Sequence, residues 1–156
     1  MINLDGFDRR ILGELQRRGD IGPTELSPLV HLSPSQCSRR VARLREEGYI
    51  AGIHARLDPH KLNLGVTSYI IIKIKNHSSE VEERLSGFLS NLSEVVSVDY
   101  VAGDADYIIK ILTRDLESYA EFISRKLMKS QDIDSIKSSI ALKSIKMSGE
   151  APLEFA

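Results

Sequence analysis

Apolar residues recur at helical spacing from the start of the chain. Phe7, Ile11, Leu12 and Leu15 share one stripe, Asp5 or Asp8 can cap the helix, and Gly19 lies near its end. A second, shorter amphipathic stretch follows, then a tight turn and a third helix whose start is well marked. Ser33 offers a capping hydroxyl, Pro34 suits the first helical position, and Gln36 completes a capping box. At about 100° per residue, Cys37, Val41 and Leu44 of this third helix fall on one stripe, with Ser35, Gln36, Arg39 and Arg43 on the far side. One face packs and the other is free. After Gly48, residues 49–59 alternate apolar and polar around Gly52, which predicts a small strand or wing, and residues 59–65 form a short linker.

From Gly65 onward the apolar period changes to two. Val66, Ile70, Ile72 and Ile74 share one face of a strand, and Val81, Leu85, Phe88, Leu89 and Leu92 return to helical spacing. Residues 94–101 predict a second strand, the turn at 102–106 leads to a third over 107–113, and the short gap suits an antiparallel hairpin. A further helix uses Leu116, Tyr119, Ala120, Ile123 and Leu127, and a last strand spans about 135–146. The order βαββαβ predicts a ferredoxin-like sandwich with two helices on one face of a four-stranded sheet. The fold class is therefore α+β: a three-helix winged helix-turn-helix domain over 1–62 and a ferredoxin-like domain over 63–156. Depending on register, Tyr69, Ile71, Val96 and Val98 line the uncovered sheet face, which asks for a partner, most simply a second copy.

Composition narrows the class. In 156 residues, 42% are apolar and 28% charged, a globular balance that argues against disorder. No run approaches the roughly 18 apolar residues of a membrane span, and residues 1–10 lack a signal-peptide core, so the expected location is cytoplasmic, with no membrane partner. The single cysteine, Cys37, reads as a small buried hydrophobe.

Net charge is −1 for the whole chain, but the two domains differ. Residues 1–62 hold 10 Lys and Arg against 8 Asp and Glu, and residues 63–156 hold 11 against 14. Within 33–56, arginines 39, 40, 43, 45 and 56 face only Glu46 and Glu47, concentrating positive charge where a phosphate backbone would lie. A helix-turn-helix with an arginine-bearing third helix is the sequence form of a DNA reader. His31, His54, His60 and His77 show no metal-ligand spacing, and no phosphate loop, nucleophile elbow or paired-carboxylate signature is present. Catalytic residues, metal ligands and cofactors are therefore assigned to none, and the expectation is a protein that is not an enzyme.

Four stretches, occurring in order, carry a resemblance over nearly the whole chain: LDGFDRRILGELQRRGDI, ELSPLVHLSPSQCSRRVARLREEGYIAG, the LDP step near Asp58, and AGDADYIIKI. The chain resembles the Lrp/AsnC family, the feast/famine transcription regulators. The resemblance implies a DNA-binding domain joined to a sensing domain that dimerises and often assembles to octamers, with a small amino acid as effector. It implies that residues 33–43 enter the major groove of double-stranded DNA. Ser33 opens that stretch, Ser35, Gln36 and Arg39 lie nearest the base edges, and Arg43 serves phosphate. Arg40 would be structural, held through an ion pair.

In the sensing domain the family's Gly-Asp-x-Asp turn corresponds to Gly103, Asp104, Ala105 and Asp106, near a subunit boundary where effectors bind. Ala105 departs from the aromatic or bulky residue of many members, which leaves pocket shape and effector identity open. Asp104 or Asp106 would accept the effector's ammonium, while amides near Gly103 and the hydroxyls of Ser138 or Ser139 would meet its carboxylate. Read without the resemblance, Gly and Asp here are what any tight hairpin uses.

Two other functions fit the same plan. One is an enzyme like the sirohaem decarboxylases that resemble this family, although His77 alone lies in the second domain and the arginine helix is intact. The other is an architectural DNA-binding protein without a ligand.

Overall fold

The computed structural model describes residues 4–146 and 149–155. The chain forms two compact units, residues 1–56 with 146–156, and residues 57–145. The last segment, read from sequence as part of the second domain, groups with the first because Leu153 packs against that unit's apolar cluster.

The first unit is built on three helices. In α1 (Gly6–Arg17), Asp5 caps the start by accepting from the amides of Phe7 and Asp8, each at 2.8 Å, and Asp8 accepts in return from the Asp5 amide at 3.2 Å. Helix α2 (Pro23–Val30) ends at His31, whose φ of 58° and ψ of 44° put it in the left-handed region and turn the chain sharply into α3 (Pro34–Glu46). Ser33 and Gln36 form the expected capping box at the start of α3, and Gly48, at φ 80°, follows its end. Ile11, Leu12, Ile21, Leu26, Val30, Cys37 and Leu44 make the core. Burying side chains of this kind contributes about 1.5–3 kcal/mol each, which is what holds three short helices together.

The expected wing strand does not form. Residues 50–58 have no regular secondary structure, because no neighbouring segment supplies a ladder partner for the alternating pattern. Ile53 instead lies against Gly19, so close that a Cβ at Gly19 would sit 2.8 Å from its Cγ2.

The second unit is a four-stranded antiparallel sheet in the order β2-β3-β1-β4, covered on one face by α4 (Ser79–Ser90) and by the stretch 116–129. Its strands are β1 (Val66–Ile74), β2 (Val95–Tyr100), β3 (Tyr107–Thr113) and β4 (Ile133–Ile140). Ile70, Ile72 and Ile74 alternate inward on β1 beside Tyr107, Ile109 and Ile111 of β3, and Val81, Leu85 and Leu89 of α4 pack on them. Strand β4 stops at Ile140, short of the expected end, since its partner β1 begins at Val66.

Two expectations about side-chain direction change. Strand β2 carries a bulge between Val95 and Ser97, so Val98 packs toward the core while Val96 stays exposed; they do not share the open face. The second helix is α5 (Leu116–Glu121) continued by a π-helical turn over Phe122–Lys126. That wider turn brings Phe122 and Leu127, five residues apart, into the same core, whereas Leu116 remains exposed.

Candidate functional site

Helix α3 presents three stripes. Cys37, Val41 and Leu44 face the core. Burial raises the Cys37 thiol pKa, so it stays protonated. A second stripe, Arg40, Arg43 and Glu47, faces α1. There Asp8 is buried to 1% exposure and takes Arg40 Nη1 on Oδ1 at 2.7 Å and Arg43 Nη2 on Oδ2 at 2.6 Å. Arg40 Nη1 also donates to Asp5 at 2.7 Å, and its guanidinium lies 5.4 Å from the centroid of the Phe7 ring. Burial pulls the Asp5 carboxyl up, but the Asp8 amide, Arg40 and the Phe7 amide outweigh it and hold its pKa at about 2. Arg40 is thus an internal tie, in the role the ion-pair expectation gave it.

The third stripe is exposed and centres on Ser35, Ser38, Arg39, Ala42, Arg45 and Glu46. Arg39 makes no ion pair among the described residues, and its guanidinium is free to reach outward. Arg43, expected at phosphate, is instead turned toward Asp8, with Glu47 3.7 Å from its Nε. The cause is Asp8: a buried carboxylate needs both guanidinium partners, a demand that helical periodicity within α3 does not reveal. Gln36 Oε1 accepts from the Ser33 amide and hydroxyl, each at 3.0 Å, leaving Nε2 as its free group. A bidentate grip on adenine needs both ends, so it would require the capping box to open. Ser33 is the cap, and its hydroxyl lies 3.1 Å from that of Ser35. Ser38 and Arg45 were missed from sequence, although both lie on the arc flanking Arg39.

In the second unit the turn residues separate. Gly103 has φ 140°, a conformation suited to glycine. Asp106 is committed to the fold: Oδ2 accepts from the Ile74 amide at 2.8 Å, its own amide donates to Ile72 O at 3.0 Å, and His77 Nδ1 lies 3.6 Å from Oδ1. Asp104 is exposed and lines a concavity of about 470 Å³ with Ile71, Lys73, Ala105, Ser135 and Lys137 on the open sheet face.

Adjacent strand residues point to opposite faces, so Ser138 and Ser139 cannot act together. Ser138 hydrogen-bonds Tyr119 OH on the helix-covered side, while Ser139 pairs across from Tyr69 on the open side. Sequence reading missed Lys73 and Lys137. Lys73 carried a signal, since it interrupts the apolar run of β1 at the open-face parity, whereas Lys137 sits among the serines of β4 and carried none. Together with Asp104 they give one carboxylate and two ammonium groups around an apolar floor, the donor set that suits a zwitterion.

Two family models match the chain. The model described as winged helix-turn-helix DNA-binding matches residues 4–51, and the model described as Lrp/AsnC ligand binding domain matches residues 67–151. The chain is 36% identical over 152 residues to the HTH-type transcriptional regulator Zrp of Zymomonas mobilis, covering 97% of this chain and 99% of Zrp. It is 32% identical to the DNA-binding transcriptional activator DecR of Escherichia coli, again over 97% and 99%. Among solved structures it is similar to a transcriptional regulator from Neisseria meningitidis crystallised as an L-Met complex. That match has a TM-score of 0.93 and 31% identity, and covers 98% of this chain and 99% of the other.

Proposed function

The chain belongs to the Lrp/AsnC family of DNA-binding transcriptional regulators, and from that premise we propose that α3 reads double-stranded DNA while a small amino acid bound on the sheet face adjusts that reading. The observation that carries it is the stripe of α3 bearing Arg39 and Arg45, exposed and without ion pairs among the described residues, beside a stripe whose arginines are tied down. Arg39, with Ser35 and Ser38, meets base edges. Arg45 and the outer edge of Arg43 meet phosphate. A protein of this kind acts where the DNA is, in the cytoplasm, and no helix among the described residues is long and apolar enough to cross a membrane.

For the effector, Asp104 takes the ammonium, and Lys73 and Lys137 take the carboxylate. Gly103 shapes the turn and Ser139 lies within the same face; Asp106 and Ser138 act through the fold. Tyr69 and Ile71, both substantially exposed on that face, are the surface on which a second copy packs, and such dimers can assemble further to octamers. An effector there binds one assembly better than another, changing the spacing of paired α3 helices.

The test is selection of genomic fragments by purified protein at near-physiological salt, with and without the twenty amino acids. A pseudo-palindromic site whose occupancy shifts with the mixture supports the whole reading. Enrichment without a shift removes the effector half, and uniform binding to random DNA removes sequence reading and leaves an architectural protein.

A further inference from the structure

We propose that the amino acid bound on the sheet face of the second unit is an acidic one, with glutamate as the best match, because the cavity there offers two ammonium groups to one carboxylate. This rests on the effector reading above and deepens it.

The cavity, of about 470 Å³, is walled by residues of the second unit alone. Strand register fixes its layout. Ile71 lies at the centre, opposite Ile108 on one side and Lys137 on the other, and Lys73 is paired with Ser135 in the next row toward the turn over 102–106. Asp104 comes from that turn. Lys73, Lys137 and Asp104 are exposed and make no ion pair among the described residues, so none of the three charges is neutralised within the unit. Asp106, the other carboxylate of the turn, is engaged by the Ile74 amide and faces His77 instead.

The α-ammonium and α-carboxylate of an amino acid share one carbon, so they need neighbouring partners. Asp104 on the turn and Lys73 in the nearer row meet that need. Lys137 is left over, one strand away across Ile71, a step of about 4.8 Å in strand spacing. An amino acid anchored at the turn therefore runs its side chain over Ile71 toward an ammonium that has no counter-charge. Covering that ammonium with an apolar side chain costs hydration that nothing restores. A side-chain carboxylate pairs with it, while the methylenes of glutamate lie on Ile71 and Ile108.

Calorimetry of the full chain with L-glutamate, L-glutamine and glutarate separates charge from shape. Glutamate should bind at least about tenfold tighter than glutamine, which has the same outline without the charge, and than glutarate, which lacks the ammonium. The preference over glutamine should shrink as salt rises from about 0.05 M to about 0.5 M. Lys137→Met, which keeps an apolar stem and removes the charge, should bring the glutamate-to-glutamine ratio down to about one. Lys110→Met should leave the ratio as in the parent, since Lys110 pairs opposite Tyr69 on the same face and lies outside the cavity. Glutamine binding as tightly as glutamate, at a site that Asp104→Asn weakens, would overturn the acidic preference and keep the effector site. Glutarate matching glutamate would overturn it by reducing the site to anion binding. Amino-acid binding that Asp104→Asn leaves unchanged, or no binding by any amino acid, would count against the proposed effector site and overturn this inference with it.

Discussion

Asp8→Ala should loosen the first unit more than any other single change outside its apolar core. The carboxylate is 1% exposed and accepts from Arg40 at 2.7 Å, from Arg43 at 2.6 Å and from the Asp5 amide at 3.2 Å. Removing one partner of a buried ion pair costs about 3–5 kcal/mol. Arg40 keeps Asp5, and the Arg43 side chain is 40% exposed and partly hydrated, which places the loss near the lower end, about 3 kcal/mol. Cys37 is a built-in reporter: fully buried in that unit, it reacts with a thiol reagent only when the unit opens. A loss of about 3 kcal/mol raises the labelling rate roughly 150-fold. Asp8→Asn keeps the shape and one acceptor oxygen and should fall between, while Glu46→Ala on the exposed stripe should leave the rate unchanged. A change below about threefold for Asp8→Ala would mean that the two arginines find equivalent partners elsewhere, and would refute the tie between α1 and α3.

Acid should weaken the same unit. Asp5 titrates at about 2 in the fold against roughly 3.9 in an unfolded chain, so its contribution is full above the unfolded value and disappears as pH falls through the folded one. The unfolding free energy of this unit, followed by denaturant titration with circular dichroism, should therefore fall as the pH drops from about 4 to about 2, and Asp5→Asn should flatten that slope. On the sheet face, Asp104→Asn should weaken amino-acid binding by about tenfold or more in calorimetry, with the unfolding temperature unchanged, because Asp104 is exposed and holds no fold contact comparable to those of Asp106. Ile71→Asp should raise the dimer dissociation constant at least ~100-fold by light scattering across a dilution series, since a two-fold interface loses the apolar contact twice.

The helices of the first unit were legible because their caps are local. Asp5, Ser33 and Gln36 act within a few residues, and their hydrogen bonds form where spacing placed them. The sheet was legible for a similar reason: Ile70, Ile72 and Ile74 carry the period of two without interruption. What escaped depends on partners distant in sequence. Nothing within 33–46 reveals that Asp8 will claim Arg43, and nothing near Gln16 reveals that it will bind the backbone of residue 151. The strand expected over residues 49–59 did not form, because alternation specifies a strand only when another strand is there to pair with it. At the proposed effector site, Asp104 was named from the turn motif, whereas Lys73 and Lys137 come from two different strands that only the β1–β4 register brings together.

Under the proposed function the exposed stripe of α3, led by Arg39, reads bases while the Asp8-facing stripe holds the helix in place. The direct measurement is a base-substitution scan of the selected DNA site, comparing the parent protein with Arg39→Ala by fluorescence anisotropy. Arg39→Ala should lose about 1–3 kcal/mol of discrimination at one guanine position in each half-site and keep the parent pattern elsewhere. A uniform loss of affinity, with every base preference retained, would place Arg39 on phosphate and contradict base reading by this stripe.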